Sequence, residues 1–325
     1  MKRARIAGIG FHVPERILTN ADLAKMVDTN DEWIRTRTGI SERRIAEKGT
    51  GVSELSAKAA LKALAAAGVK PESIDLIVCA TTTPDQPLPS TACFVQQKIG
   101  AVNAAAFDLA AACSGFVYGL VTGEQFIRSG MYKTVLVIGA DLISSFIDWT
   151  DRSTCVLFGD GAAAAVLTQT ASGGILSGVL GSDGRHAELL AICAGGSKAP
   201  ASSETLASKQ HYLKMNGGEV FKLAVRGMSD SVLLALEKAG VNKNDIACFI
   251  PHQANLRIID AVSERLEVPK EKVFVNLQKY GNTSAASCAI ALCEAVEQKR
   301  IKKGDKVVLA TFGSGLVWAS MVIEW

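Results

Sequence analysis

The chain reads as an α/β protein built from two similar halves. Three observations predict that class. First, short runs of Val, Ile and Leu alternate with segments of strong helix propensity, as buried parallel strands covered by helices require. Second, the pattern occurs twice. Leu61-Lys-Ala-Leu-Ala-Ala-Ala-Gly68-Val69, followed by Ile74-Asp-Leu-Ile-Val, is matched by Leu233-Leu-Ala-Leu-Glu-Lys-Ala-Gly240-Val241, followed by Ile246-Ala-Cys-Phe-Ile. The two glycines and the two isoleucines each lie 172 positions apart. Third, Phe107-Asp-Leu109 resembles Val275-Asn-Leu277, and glycine turns at Gly130 and Gly304 precede the apolar runs Val135-Leu-Val-Ile-Gly139 and Val307-Val-Leu-Ala-Thr311. The expectation is two halves, residues 1–172 and 173–325, packed about a pseudo-dyad.

The elements follow in order. Arg5 to Gly10 reads as a first strand, and Ala21 to Met26 as a short helix with Asn20 as its N-cap. Asp31 to Ile40 mixes Trp33 with Arg35 and Arg37. That stretch suits either a solvated turn or a flat aromatic surface beside cations. Ser53 to Ala67 is a helix stopped by Gly68. Ile74 to Ala80 is a buried strand, and the Pro-rich loop Thr81 to Pro89 is irregular. Ser90 to Ile99 is helical, Lys133 to Ala140 a strand, and Thr154 to Leu167 a turn and strand of small residues. Ser172 to Ser208, rich in Gly, Ser and Ala, reads as loops and short strands near the seam of the halves.

Composition excludes several classes. With 325 residues, 48% of them apolar, the chain can bury a large core. Its 35 basic and 32 acidic residues are dispersed, so nucleic-acid binding has no support. Eight cysteines contain no C-x-x-C pair and four histidines are scattered, which disfavours a zinc site and suits reduced thiols. No apolar run reaches membrane-spanning length, and Met1-Lys-Arg-Ala-Arg-Ile enters a strand-like run without a signal-peptide core. The expectation is a cytoplasmic protein without a metal.

Phe107-Asp-Leu-Ala-Ala-Ala-Cys113-Ser-Gly carries the chemistry. It reads as the end of a buried strand turning into a helix, with Cys113 at the junction. Backbone N–H groups and the helix dipole there favour thiolate, so the sequence predicts a lowered pKa and a usable nucleophile. A buried structural cysteine is the alternative. His252, in Ile250-Pro-His252-Gln-Ala-Asn255, follows the strand that repeats Ile74 to Ala80. Asn282, in Gly281-Asn282-Thr-Ser, opens the helix that repeats the one after Cys113. Related strand ends meet near a dyad, so all three can face one cavity. Taken singly, His252 reads as structural and Asn282 as a helix cap.

Asp-Leu-x-Ala-Ala-Cys113-Ser-Gly-Phe, Pro-His252-Gln-Ala-Asn255-Leu-Arg257-Ile, Tyr-Gly-Asn282-Thr-Ser-Ala-Ala-Ser and Phe312-Gly-Ser-Gly-Leu-x-Trp318 together resemble β-ketoacyl-acyl carrier protein synthase III, from Ile6 to the C-terminus. The resemblance implies a thiolase-like, five-layered αβαβα fold. It also implies a decarboxylative condensation of an acyl-CoA, typically acetyl-CoA, with malonyl-acyl carrier protein, with no metal and no bound cofactor. Cys113 would take the acyl group, and His252 and Asn282 would donate to the enolate oxygen. The backbone N–H groups of Cys113 and Ser314 would hold the acyl oxyanion. By the same carry-over Trp33 and Arg152 would sandwich the CoA adenine, and Arg37 would meet phosphate. Asn255 would touch the pantetheine arm, and Gly217 and Phe221 would line the tunnel. Lys222, Arg226 and Arg257 would dock the acidic carrier, though such charges also suit a solvated face. Leu88 would reach across a homodimer to the acyl pocket. Phe is frequent at that position, so Leu88 leaves room for a longer or branched starter.

Rival readings are a related acyltransferase with a quinolone or polyketide starter, a cysteine thioester hydrolase, and a non-catalytic carrier-binding paralogue. A degradative thiolase would need a second cysteine where this chain has Tyr280-Gly-Asn282.

Overall fold

A computed structural model describes residues 3–325; Met1 and Lys2, part of the predicted entry into the first strand, lie outside them. The first half runs β1 (Arg3–His12), α1 (Asp31–Thr38), α2 (Val52–Ala67), β2 (Leu76–Ala80), α3 (Thr91–Ile99), β3 (Ala105–Leu109), α4 (Gly115–Ser129), β4 (Thr134–Leu142) and β5 (Asp160–Thr170). The second runs β6 (Gly174–Ser182), α5 (Gly217–Ala239), β7 (Ile246–Pro251), α6 (Leu256–Arg265), α7 (Ser287–Glu297), β8 (Lys306–Gly313) and β9 (Val317–Glu324).

The duplication is visible in the strand order. One sheet is β1-β5-β4-β2-β3 and the other β6-β9-β8-β7. In both, one edge begins with two antiparallel pairs and then turns parallel, β4 with β2 and β8 with β7. Among the described residues the second sheet has no counterpart of β3 beyond one parallel bridge, Phe249 with Val273. The predicted likeness of Val275-Asn-Leu277 to Phe107-Asp-Leu109 is therefore not a likeness of strands. Leu277 begins a short helix, Leu277–Tyr280.

Layering follows from which faces are apolar. α2 and α3 cover the outer face of the first sheet, and α5 packs on the outer face of the second with α6 beside it. α4 and α7 lie between the sheets and touch both. The result is the five-layered αβαβα sandwich. α7 is apolar nearly all round because it is covered all round: Cys288 to Ala295 is buried without a break. α4 approaches its sheet closely through glycines. A Cβ at Gly119 would stand 2.7 Å from Val137, and one at Gly115 2.8 Å from the Ala80 Cβ.

Caps explain the helix ends. Gly68 and Gly240, with φ of 64° and 65°, end α2 and α5 in the left-handed conformation that only glycine adopts freely. Three expectations needed correction. The first short helix spans Asn20–Leu23 and is capped by Thr19 in a capping box with Asp22, not by Asn20. Within Ser172 to Ser208, expected as loops and short strands, β6 is a long strand of nine residues in the second sheet, because its small residues pack beneath α5 and beside β9. β3 is not a buried strand but a half-exposed sheet edge. Among the described residues no helix is long and apolar enough to cross a membrane.

Candidate active site

Two turns that open the inner helices face each other between the sheets. After β3, a single 3₁₀ turn, Ala112–Ser114, leads into α4; after the Leu277–Tyr280 helix, a second, Ser284–Ala286, leads into α7. Each opens on a non-glycine residue with positive φ, Ala112 at 44° and Ser284 at 50°. Such a conformation costs roughly 1–3 kcal/mol and survives only where surrounding structure imposes it. Here both turns are pressed between the halves.

Cys113, His252 and Asn282 line one cavity of about 130 Å³, and they are 7%, 4% and 6% exposed. Gly217, Phe221 and Asn255 line it too, as do Leu190, Met215 and Phe312. The end of β8 packs against the nucleophile turn: a Cβ at Gly313 would come within 2.7 Å of the Cys113 backbone nitrogen. That contact brings the chain at Ser314 beside the nucleophile turn. The Ser314 hydroxyl donates to the Leu190 carbonyl, so its side chain is tied away.

Each polar side chain is held. Ser284 and the Cys113 backbone N–H stand where they favour the thiolate form of Cys113. The Ser284 N–H donates to Asn282 Oδ1 at 2.9 Å, which leaves the Asn282 NH₂ as the free end of the amide. His252 is anchored by its N–H on the Ala310 carbonyl at 2.7 Å, and its Nδ1 lies 2.6 Å from Ser287 Oγ. Beneath it the buried Gln253 ties Pro251, Phe274 and Asn276 together. Asp141 bonds Thr81, Thr82 and Thr83 through one oxygen and the Ala285 N–H through the other. It thereby joins the two halves at the second turn.

The electrostatics correct one expectation. Burial pushes the Cys113 thiol up to about 12, against the hydrogen bonds that favour thiolate. The helix start does not outweigh desolvation of a thiol this deep. Burial likewise lowers His252 to about 4. At neutral pH the site holds a thiol and a neutral imidazole, not an ion pair.

The peripheral residues divide. Trp33 on α1 has Arg37 at 5.2 Å and Arg152 at 4.9 Å from its ring centroid. Arg152 stacks on Trp33 directly and donates to the Asp28 carbonyl at 2.7 Å. A flat ring between them needs roughly 7 Å, two van der Waals contacts, so the predicted sandwich is closed and Arg152 must swing away to admit one. Asn255 joins this group to the cavity by donating to the Arg37 carbonyl. Arg257 lies 5.9 Å over Phe221 at the cavity mouth, while Lys222 and Arg226 pair with Glu219 and Asp230. Leu88 does not line this cavity within one chain and is 81% exposed.

Sequence reasoning missed Ser284, Ser287, Gly313 and Asp141. A signal existed for the first two, since Asn282-Thr-Ser-Ala-Ala-Ser287 places three hydroxyl side chains at a buried helix start. Gly313 lay within the Phe312-Gly-Ser-Gly motif without a part of its own, and nothing local marks Asp141.

Two duplicated α/β halves meeting over a thiol, an imidazole and an amide define a condensing enzyme of the thiolase fold. The family model for 3-oxoacyl-[acyl-carrier-protein] synthase III matches residues 107–184, and that for its C-terminal part matches residues 236–325. The chain is 56% identical over 323 residues to the β-ketoacyl-[acyl-carrier-protein] synthase III of Roseiflexus castenholzii, covering 99% of this chain and 98% of that one. The crystal structure of 3-oxoacyl-[acyl-carrier-protein] synthase III from Aquifex aeolicus superposes with a TM-score of 0.92 at 48% identity, covering 99% and 100% of the two chains. A priming β-ketosynthase from the R1128 polyketide biosynthetic pathway superposes with a TM-score of 0.92 at 37% identity, covering 98% and 95%. The chain belongs to the β-ketoacyl-[acyl-carrier-protein] synthase III family.

Proposed function

We propose that this enzyme joins an acetyl group from acetyl-CoA to malonyl-acyl carrier protein, releasing CoA and CO₂, through Cys113, His252 and Asn282. The convergence of those three buried side chains, drawn from both halves, on one cavity carries the reading. Family membership carries the reaction type, an acyltransferase condensation that initiates fatty acid synthesis.

In the first step the Cys113 sulfur attacks the acetyl thioester carbon. A thioester forms on Cys113, the bond to CoA sulfur breaks, and the thiol proton ends on CoA. Burial keeps the free thiol protonated in the resting site. The N–H groups of Cys113 and Ser314 take the oxyanion. In the second step the malonyl C–C bond breaks, CO₂ departs, and its electron pair forms an enolate. His252 Nε2–H and the Asn282 NH₂ donate to the enolate oxygen, stabilising charge absent from the ground state. The enolate carbon then attacks the acetyl-Cys113 carbonyl, the bond to Sγ breaks, and the released thiolate takes up one proton from solvent to return the resting thiol.

The related priming ketosynthase shows that this fold also occurs in polyketide biosynthesis, so a panel of starters belongs in the test. The reaction calls for no metal or resident cofactor. Trp33, Arg37 and Arg152 bind the CoA nucleotide, with Asn255, Gly217 and Phe221 along its arm. Lys222, Arg226 and Arg257 dock the carrier; exposed ion pairs such as Lys222 with Glu219 are weak and yield readily to an acidic partner. The protein is a homodimer through the open edge of β3, with Leu88 serving the partner's acyl pocket, and works in the cytoplasm as halves 1–172 and 173–325.

The experiment supplies radiolabelled acetyl-CoA and malonyl-acyl carrier protein to wild type and Cys113→Ala. Acetyl-enzyme and acetoacetyl-carrier from wild type, both absent from the variant, are expected. No label from acetyl-CoA sinks the acetyl starter, and release as free acetate supports a hydrolase.

A further inference from the structure

We infer that Ser287 is a positioning residue that fixes the tautomer of His252, so that the imidazole presents an N–H and not a lone pair to the cavity. The inference rests on the reading of His252 as a donor to the enolate, and deepens it.

The geometry leaves one consistent arrangement of protons. Ser287 Oγ lies 2.6 Å from His252 Nδ1 and accepts the Gln253 backbone N–H at 3.1 Å. Ser287 is 2% exposed, so its hydroxyl proton needs a protein acceptor. Among the described residues Nδ1 is the acceptor in reach. If Nδ1 carried the proton instead, Ser287 Oγ would accept twice and its own O–H would be left buried without a partner. With the O–H donating to Nδ1, the Gln253 N–H, the serine hydroxyl and the imidazole are all satisfied, and the ring proton sits on Nε2. Burial keeps the ring neutral, so the choice of tautomer decides whether Nε2 donates at all.

The other half shows that this hydroxyl is an addition to the scaffold. Ser287 and Gly115 lie 172 positions apart, as do His252 and Ala80. At the first junction those places hold a glycine and an alanine packed so closely that a Cβ on Gly115 would stand 2.8 Å from the Ala80 Cβ. The same contact between strand end and helix start has become a hydrogen bond where the second half supplies an imidazole.

The test uses the full-length enzyme labelled with ¹⁵N-histidine, as wild type, Ser287→Ala and Ser287→Thr. A two-bond ¹H–¹⁵N correlation spectrum reads the His252 tautomer, assigned by its loss in His252→Gln. Acetylation of Cys113 and condensation with malonyl-acyl carrier protein are measured separately. Wild type and Ser287→Thr are expected to carry the proton on Nε2 and to condense alike. Ser287→Ala is expected to show mixed tautomers and a kcat for condensation lower by about tenfold to a hundredfold, with the KM for malonyl-acyl carrier protein and the rate of Cys113 acetylation unchanged. A wild-type proton on Nδ1, or an Ala variant with wild-type tautomer and kcat, overturns the proposal. So does equal loss of both steps with a lowered melting temperature, which reduces Ser287 to packing. A wild type that acetylates without condensing overturns the proposed function instead, while the tautomer spectra still decide the part played by Ser287.

Discussion

The two halves start their central helices from the same backbone turn and furnish it differently. Ala112 and Ser284, 172 positions apart, share the left-handed conformation. One step on, the first half has Cys113 and the second Ala285. At the strand ends beneath them the first half has Ala80 and the second His252. The first junction is small everywhere except at its sulfur. The second lacks the nucleophile but has Asn282, His252 and the hydroxyls that hold them. A duplicated scaffold thus offers two equivalent buried helix starts, and its chemistry is divided between them. One supplies the atom that bonds, the other the donors that stabilise charge. The outer edges differ as well. β3 leaves a free strand edge in the first half, where the second half keeps a single bridge.

That division can be broken by substitution. The largest effect is expected from Cys113→Ala, which loses acetyl-enzyme and condensation entirely. Returning the thiol at the equivalent place, in Cys113→Ala/Ala285→Cys, restores neither, because the Ala285 N–H is committed to Asp141. An acetylated double variant in a mass spectrum would show the junctions to be interchangeable. Next is Asn282→Ala, with a fall of roughly 10²–10³ in the condensation rate and little change in Cys113 acetylation. Equal losses in both steps would mean that the donors do not belong to one step alone.

Smaller effects sharpen the comparison through stability. Unfolded His252 takes a proton below about 6.5, while the folded ring resists it to about 4. The unfolded state therefore binds more protons within that window. Stability is level above pH 6.5 and falls as pH drops toward 4, by an amount on the order of 3 kcal/mol from this group. Denaturant titrations across that range should show a shallower fall in His252→Gln; an identical slope would place the acid sensitivity elsewhere. The smallest effect is that of Gly115→Ser, which imports the second half's residue into the first. Its Cβ meets the Ala80 Cβ at 2.8 Å, so overpacking should cost about 1–3 kcal/mol. The thermal midpoint should drop by a few degrees, and no drop would show that the first junction has slack.

Much of this was legible from residues alone, because it rests on local chemistry. The caps at Gly68 and Gly240 mark the helix ends, and the apolar runs from Ile74 and Ile246 mark the strands, so the repeat can be read by comparing two stretches. Cys113, His252 and Asn282 stood out because each sits at such a boundary. The likeness of Val275 to Leu277 misled, since a short apolar run becomes a strand only if a neighbour pairs with it, and only one bridge forms there.

The order of elements, their duplication and the identity of the reactive side chains are properties of the chain itself, written in residue type and spacing. The depth of the site is not. Whether a cysteine at a helix start is a thiolate depends on how much protein covers it, and the second sheet, arriving from residues far along the chain, covers Cys113 enough to keep its proton on. The partners that orient the site come from other stretches of the chain: Ser284 beside Cys113, Ser287 on His252, Gly313 against the nucleophile turn. Local propensity cannot encode these contacts. They exist because two sheets close over the same pair of helices, and that closure decides which hydroxyl, carboxylate or glycine stands next to which reactive atom.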